Sequence, residues 1–214
     1  MKKTALGVLA LAGALFVQLA GAGPSTASEP RVITKTVMRG EGLTAEFDRT
    51  DGCIQTRVSV WGSAFTVRGS TTSDKLGVVS VTQTNTCTRT TLINGFGETT
   101  ALNLVAPNAL GRGQLRMSME FTNFADPVNP VVSPMTANVS FRATAQATTT
   151  FAQSKSFSEG IRFVSSAGTK SRAVSATGTV TLGAQRVVSP DISSYFATIG
   201  SVISKEKTVA RPVK

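Results

Sequence analysis

Three long stretches of this chain alternate apolar and polar residues with a period of two. From Gln114 to Phe124, Leu115, Met117, Met119 and Phe121 fall on one parity, and Arg116, Ser118, Glu120 and Thr122 on the other. From Met135 to Gln146, Met135, Ala137, Val139, Phe141, Ala143 and Ala145 alternate with Thr136, Asn138, Ser140, Arg142 and Thr144. From Ala173 to Leu182, Val174, Ala176, Gly178, Val180 and Leu182 alternate with Ser175, Thr177, Thr179 and Thr181. Successive strand side chains point to opposite faces, so the pattern predicts strands with one buried and one wetted face, as in antiparallel sheets. The 30 Thr in 214 residues fit this reading, because a β-branched side chain suits a pleated surface. Further strands are predicted over 32–38, 64–68, 76–83, 88–93, 101–106, 147–152, 161–165 and 185–189. Many short strands with turn punctuation and no solenoid or propeller period predict an all-β fold: an antiparallel β-sandwich, or a partly open barrel, with one disulfide.

Turn chemistry refines the expectation. Asp51-Gly52 predicts a hairpin in which Leu43 faces Val60, Ala45 faces Val58 and Phe47 faces Thr56, with Glu46 opposite Arg57 and Asp48 opposite Gln55. A one-residue slip would send the apolar set to solvent, which ties each residue to its face. Asn94-Gly95 is a second hairpin signal. The segment from Asp126 to Pro134 holds three prolines and is expected to be a long connection rather than an internal strand. Between Ile192 and Ile203 a helical stripe (Ile192, Tyr195, Phe196, Ile199, Ile203) competes with strand-forming residues. A helical turn followed by a last strand is expected there, with a loose basic tail after Lys205.

Lys2 and Lys3 precede an apolar run from Ala5 to Val17, and small residues follow at Ala20-Gly21-Ala22 and Ser25-Thr26-Ala27. This is the order of a secretory signal peptide, with cleavage after Ala22 or after Ala27 fitting equally well. The run is shorter than the roughly 20 residues of a spanning helix. Residues 1–27 are therefore expected to be a signal peptide and 28–214 one β-sandwich domain, secreted or periplasmic, with no transmembrane segment after signal removal. In such a compartment the two cysteines, Cys53 and Cys87, predict a disulfide. Each follows a turn signal, so the bond would tie two hairpin tips. A redox pair would call for CxxC proximity, which is missing.

The chain has no histidine, so Ser-His-Asp and Cys-His nucleophiles and His-ligated metals are excluded, and two cysteines cannot form a four-thiolate site. No cofactor is expected. Glu46, Asp48 and Asp51 form the densest acidic group and define an alternative, a secreted carboxylate-dependent hydrolase. They lie along one strand and its turn, whereas a glycosidase sets two acids across a cleft. A calcium site from Asp48 and Asp51 matches no ligand spacing. Gly95-Phe96-Gly97 and Gly111-Arg112-Gly113 read as turns, and Ser154-Lys155-Ser156 and Ser204-Lys205 as chance pairs in a Ser-rich chain. Trp61, on the wetter parity, and Tyr195 are the rings that could stack on a sugar.

Charge is the remaining lead. Residues 28–128 hold 10 basic and 9 acidic groups, residues 129–214 hold 10 and 3, and the whole chain carries +10. Arg142, Arg162, Lys170 and Arg172 are the candidate surface for an anionic ligand, such as an envelope polymer or glycan. Phe141 and Phe163 fall on the apolar parity, which argues against single-stranded nucleic acid. The expected role is non-catalytic: surface or envelope binding, or a structural part, with the oligomeric state open. A partner-binding loop at 126–134 is a further reading.

Ala45-x-Phe47, Asp51-Gly52-Cys53, a second cysteine at Cys87 and Arg172-Ala173-x-x-Ala176-x-Gly178-x-Val180 together resemble a group of small exported bacterial β-rich proteins without an established function. The resemblance covers roughly residues 43–205. Where that group carries His, Tyr or Asn, over Ala145–Ile161, this chain has Thr, Ser and Phe. The resemblance implies an exported β-rich fold and carries over no catalytic residue.

Overall fold

The computed structural model describes residues 32–106, 109–158 and 161–210; the expected signal peptide lies outside them. Eleven strands occupy these residues: β1 Val32–Asp51, β2 Ile54–Val67, β3 Ser73–Asn85, β4 Thr90–Thr99, β5 Leu102–Val105, β6 Arg112–Asn123, β7 Val131–Ala143, β8 Thr148–Ser158, β9 Ile161–Leu182, β10 Gln185–Val188 and β11 Phe196–Ala210. The fold is all-β and antiparallel throughout, as the alternation requires. Pairing runs β10-β9-β11-β1-β2-β3-β4-β6-β5, and β7 links β6 back to β9. The path thus closes on itself, but unevenly. β4 and β6 share three paired positions, Gly95–Asn123, Phe96–Thr122 and Gly97–Phe121, so the sheet is curled into two walls rather than an even barrel.

That narrow seam explains the Gly95-Phe96-Gly97 piece. Instead of turning, it lies within β4. A Cβ on Gly95 would stand 2.0 Å from the Thr122 carbonyl oxygen, and one on Gly97 2.4 Å from that of Glu120. The two backbones approach this closely because both positions lack a side chain.

The core lies between the walls. Leu43, Phe47, Val60, Val79, Val81 and Ile199 from one wall and Leu115, Phe121, Met135 and Val139 from the other are fully buried or nearly so. Contact across the layers is direct: a Cβ on Gly62 would meet Leu115, and one on Gly113 would meet Leu43 and Ile199. In β6 and β7, buried and exposed residues alternate as the sequence predicts.

The first hairpin keeps the predicted faces but not the predicted register. Asp51 pairs with Ile54, so the two turn residues are Gly52 and Cys53, and Leu43 faces Gly62, Ala45 faces Val60 and Phe47 faces Val58. Gly52 has φ +56°, which places glycine at the first central position of the turn. The shift is two residues, which preserves parity. Cys53 therefore sits in the tip itself and is bonded to Cys87 in the β3–β4 turn, with a Cα–Cα distance of 5.4 Å. Thr86 reinforces the junction, donating from N and Oγ1 to the Cys53 carbonyl at 2.7 and 3.0 Å.

Two other expectations change. Only the first part of the proline segment is the β6–β7 hairpin loop; residues 131–134, expected to belong to the connection, are the start of β7 and pair with β6, and Pro134 fits there because β9 pairing begins only at Met135. Asp126 organises this loop by accepting from the Asn129 side chain and then from the amides of Val128 and Asn129, which together hold its carboxyl below the ordinary value. At the C-terminus no helical turn forms. Ser193 bridges to Thr177, and β11 runs unbroken from Phe196 to Ala210, so most of the expected loose tail is paired strand.

Candidate functional site

The two walls have different lengths. β6 begins at Arg112 and β7 ends at Ala143, and Gly113 packs on Leu43 and Ile199. In register across the longer wall, Gly62, Leu43, Ile199 and Arg172 form one level. Beyond it β1, β11 and β9 continue with the end of β2, and no strand faces them among the described residues. β8 joins them there: β7 pairs with β9 from Val174 to Leu182, β8 from Ile161 to Ser171, and the intervening residues 144–147 join the two collinear strands.

The inner face changes chemistry at this rim. Inside, the inward positions are Leu43, Ala45 and Phe47 of β1, Ala197 and Ile199 of β11, and Val174, Ala176 and Val180 of β9, all buried. Outside, the same parity presents Glu41, Arg39, Val37 and Lys35 on β1. On β11 it presents Ser201, Ile203, Lys205 and Lys207, on β9 Lys170, Gly168, Ser166, Val164 and Arg162, and on β8 Thr149, Phe151, Gln153, Lys155 and Phe157. Seven cationic side chains thus share one face with Glu41, its one carboxylate among the described residues. Burial raises the Glu41 carboxyl above its ordinary value.

The arrangement is electrostatically costly. Lys35 and Lys207 are direct cross-strand neighbours, and like charges placed so destabilise a sheet. Lys205, beside Val37, lies diagonal to both Lys35 and Arg39. Lys35, Arg39, Arg68 and Lys205 line a cleft of about 670 Å³ that also holds Val37 and Ile203 and has no carboxylate among the described residues that line it. A second cleft of about 350 Å³, between Phe151 and Ile203, is lined by Lys170 and Lys205. It is open because Gly168, in register between those two residues, leaves space where a Cβ would meet nothing within 4 Å. The opposite face of the overhang is rich in hydroxyls: Thr148, Thr150, Ser154, Ser156 and Ser158 of β8, and Ser165, Thr169 and Ser171 of β9.

Of the four cations singled out from sequence, the structure places Arg162 and Lys170 on this face. Arg172 stands at the rim, where its guanidinium donates to the carbonyls of Ala145 and Ala109 and so ties down two loops. Arg142 is on the outer face of β7, directly opposite Arg112. Phe141 is buried as its parity requires, but Phe163 is 43% exposed on the outer face of β9. Lys35, Arg39, Lys155, Lys205 and Lys207 were not singled out, and neither were Phe151 and Phe157. Their signal is the spacing Lys35-x-Val37-x-Arg39 and Lys205-x-Lys207, on the parity of Leu43 and Ile199.

The acidic group has structural partners. Arg57 Nε lies 3.2 Å from Asp48 Oδ2, and Arg49 Nη2 lies 3.0 Å from Asp51 Oδ2. Glu46 faces Ser59 rather than Arg57 and accepts from the Tyr195 hydroxyl, a bond that raises the Tyr195 pKa. All three carboxylates lie on the outer face or the tip of β1. Trp61 is on the outer face of β2, partly exposed, beside Thr44 and Val78. Next to the proline loop, the part-exposed rings of Phe96 and Phe124 lie 5.9 Å apart, tilted by 32°. Among the described residues no group of three or more His, Cys, Asp or Glu is placed to hold a metal ion, and no helix is long and apolar enough to cross a membrane.

No family model, curated protein or solved structure matches the chain.

Proposed function

We propose that the protein is an exported, non-catalytic binder of a linear anionic polymer, such as a phosphate- or carboxylate-bearing envelope polymer. The polymer is held on the inner face of the overhang. One observation carries the reading: past the rim, the parity that is apolar inside the molecule carries seven cations, with Lys35 against Lys207, and no strand among the described residues faces them. A face that concentrates like charge at a cost to stability is accounted for by a counter-charge that arrives with a ligand. Its extent favours a polymer over a single anion. Arg162 and Lys170 are eight residues apart on one strand, roughly 26 Å, and β8 to β1 spans three strand spacings, roughly 14 Å. Phe151, Val37 and Ile203 supply apolar contact between the charges. Export, and the likeness to small exported bacterial proteins, belong to the same proposal.

The test is binding of the purified protein to a polyphosphate, a polyuronate, a lipopolysaccharide and a neutral dextran across a salt series. Binding to polyanions that falls steeply with salt is expected, with none to dextran. Lys205→Glu with Lys207→Glu should weaken it by at least about tenfold, whereas Arg142→Glu on the outer face should change it little. Absence of binding to every polyanion at low salt, or equal loss in the outer-face variant, would overturn the proposal.

A further inference from the structure

One valine on the overhang is ringed by positive charge. Val37 of β1 pairs with Lys205 of β11 on one side. On the other, Arg68 of the turn after β2 donates its amide to the Val37 carbonyl at 2.8 Å, which sets Arg68 level with Val37. Gly69, at φ +92°, and the Ser70 amide on the Val67 carbonyl at 2.9 Å form that turn. Lys35 and Arg39 lie two residues away along β1, on the same face. All four cationic residues thus have Cα atoms within roughly 7 Å of that of Val37. Their side chains line the larger cleft together, and none has an ion pair among the described residues.

Apolar residues of the same face form a track leading away from this point. Val37, Val67 and Ile203 line the larger cleft, and Ile203 and Lys205 line the smaller one as well, so the two adjoin. Across the strands, Ile203, Gly168 and Phe151 are in register. Ile203 is 44% and Phe151 71% exposed, and the open space at Gly168 lies between them. From Ile203 to Phe151 is two strand spacings, roughly 10 Å.

We propose that this end of the overhang binds an amphiphilic phosphate monoester. The phosphate sits among Lys35, Arg39, Arg68 and Lys205, and its hydrocarbon chain runs over Ile203 and Gly168 toward Phe151. The inference rests on the reading of the overhang as an anion-binding face and names the chemistry of one end of it. Cations on all sides of a single residue exceed what a singly charged carboxylate or phosphate diester can match. A phosphate monoester brings close to two charges and three free oxygens to one point. The lysine and arginine stems add apolar contact beside Val37.

Calorimetric titration of the purified protein with octyl phosphate, octyl sulfate, glycerol phosphate and inorganic phosphate, all below micelle formation, reads the site. Polyphosphate is titrated in parallel. Octyl phosphate should bind at least about tenfold tighter than glycerol phosphate, the effect of burying roughly two methylene groups. Octyl sulfate, with the same chain and a single charge, should bind several-fold more weakly. Arg68→Gln should weaken octyl phosphate and inorganic phosphate alike, by at least about fivefold. Gly168→Val fills the track and should bring octyl phosphate to the level of glycerol phosphate without changing inorganic phosphate. Lys155 lines neither cleft, so Lys155→Gln should weaken polyphosphate alone. The proposal is overturned, even where polyphosphate binds, by octyl phosphate no tighter than glycerol phosphate or by octyl sulfate as tight as octyl phosphate. Unchanged octyl phosphate affinity in Arg68→Gln or in Gly168→Val overturns it too. Loss of polyphosphate binding with octyl phosphate binding retained overturns the polymer reading alone and supports this one.

Discussion

Replacing Cys53 and Cys87 by serine removes a cross-link between residues 34 apart in the chain. In the chain-entropy account a closed loop of that size withdraws about 4 kcal/mol of conformational entropy from the unfolded state. The folded state loses little in compensation. The same two tips are held by Thr86 on the Cys53 carbonyl and by Gln83 Nε2 on Thr56 Oγ1 at 3.0 Å, and these contacts remain when the thiols are gone. The full entropic loss should therefore appear in stability, as a fall of about 8–15 °C in the thermal midpoint for a chain of this size. Urea denaturation is the more discriminating assay. An unfolded chain freed of its cross-link exposes more surface, so the m-value should rise while the midpoint falls. The cationic overhang lies at the opposite end of β1, and polyanion binding by the folded variant should be unchanged. A loss below about 1 kcal/mol, or a large loss with an unaltered m-value and altered folded-state spectra, would refute the entropic reasoning and show that the bond shapes the native turns instead.

Gly95→Ala drives a methyl into the Thr122 carbonyl at the β4–β6 seam and should cost at least about 2 kcal/mol in urea denaturation. Gly168→Ala, whose added methyl meets nothing within 4 Å, should be neutral or stabilising by up to about 1 kcal/mol. Burial raises the Glu41 carboxyl, so the stability linked to its proton is fully present below the ordinary value of 4.5 and is lost as pH rises through the higher folded value. Glu41→Gln should therefore be more stable than wild type at pH 7, by an amount that vanishes in acid titration, and should bind polyanions more tightly. Lys35→Gln relieves the contact with Lys207 and should gain a few tenths of a kcal/mol while weakening polyanion binding, measured on the same preparation.

Face parity was the legible part of this molecule. Leu115, Met117, Met119 and Phe121 are inward, and Arg116, Ser118 and Glu120 outward, because a two-residue period leaves no other arrangement with a dry core. The same logic could not set the first hairpin's register. Shifts of zero and two residues bury the same faces, and the choice fell to Gly52, which takes the positive φ of the first turn position and moves Cys53 into the tip. Asn94-Gly95 misled for a related reason. A glycine that lets two backbones touch and a glycine that lets a chain turn look alike in sequence, and Gly95 is of the first kind. The cationic face was hidden more deeply. Lys35, Arg39, Lys205 and Lys207 have core parity, and what exposes them is the point at which β6 and β7 stop. That depends on pairings between segments far apart in the chain, and a single strand's pattern does not contain it.

The overhang also runs against the energetics that build the rest of the fold. Inside the rim each added strand residue buries an apolar side chain against a second wall, which offsets the backbone entropy of ordering it. Outside, Lys35–Arg39, Lys205–Ala210 and the whole of β8 are ordered with little burial, and Lys35 stands against Lys207. Backbone pairing alone stabilises such strands weakly, so the overhang should open locally at a lower free energy than the body, which amide exchange would resolve strand by strand. A polyanion lying across β8, β9, β11 and β1 would contact all four at once. It would neutralise the repulsion between Lys35 and Lys207 and tie together strands that the core does not hold. Exchange in β8 and at the ends of β1 and β11 should then slow on binding, while exchange at Leu115–Phe121, already limited by the core, stays the same. Uniform slowing across the molecule would instead place the ligand elsewhere.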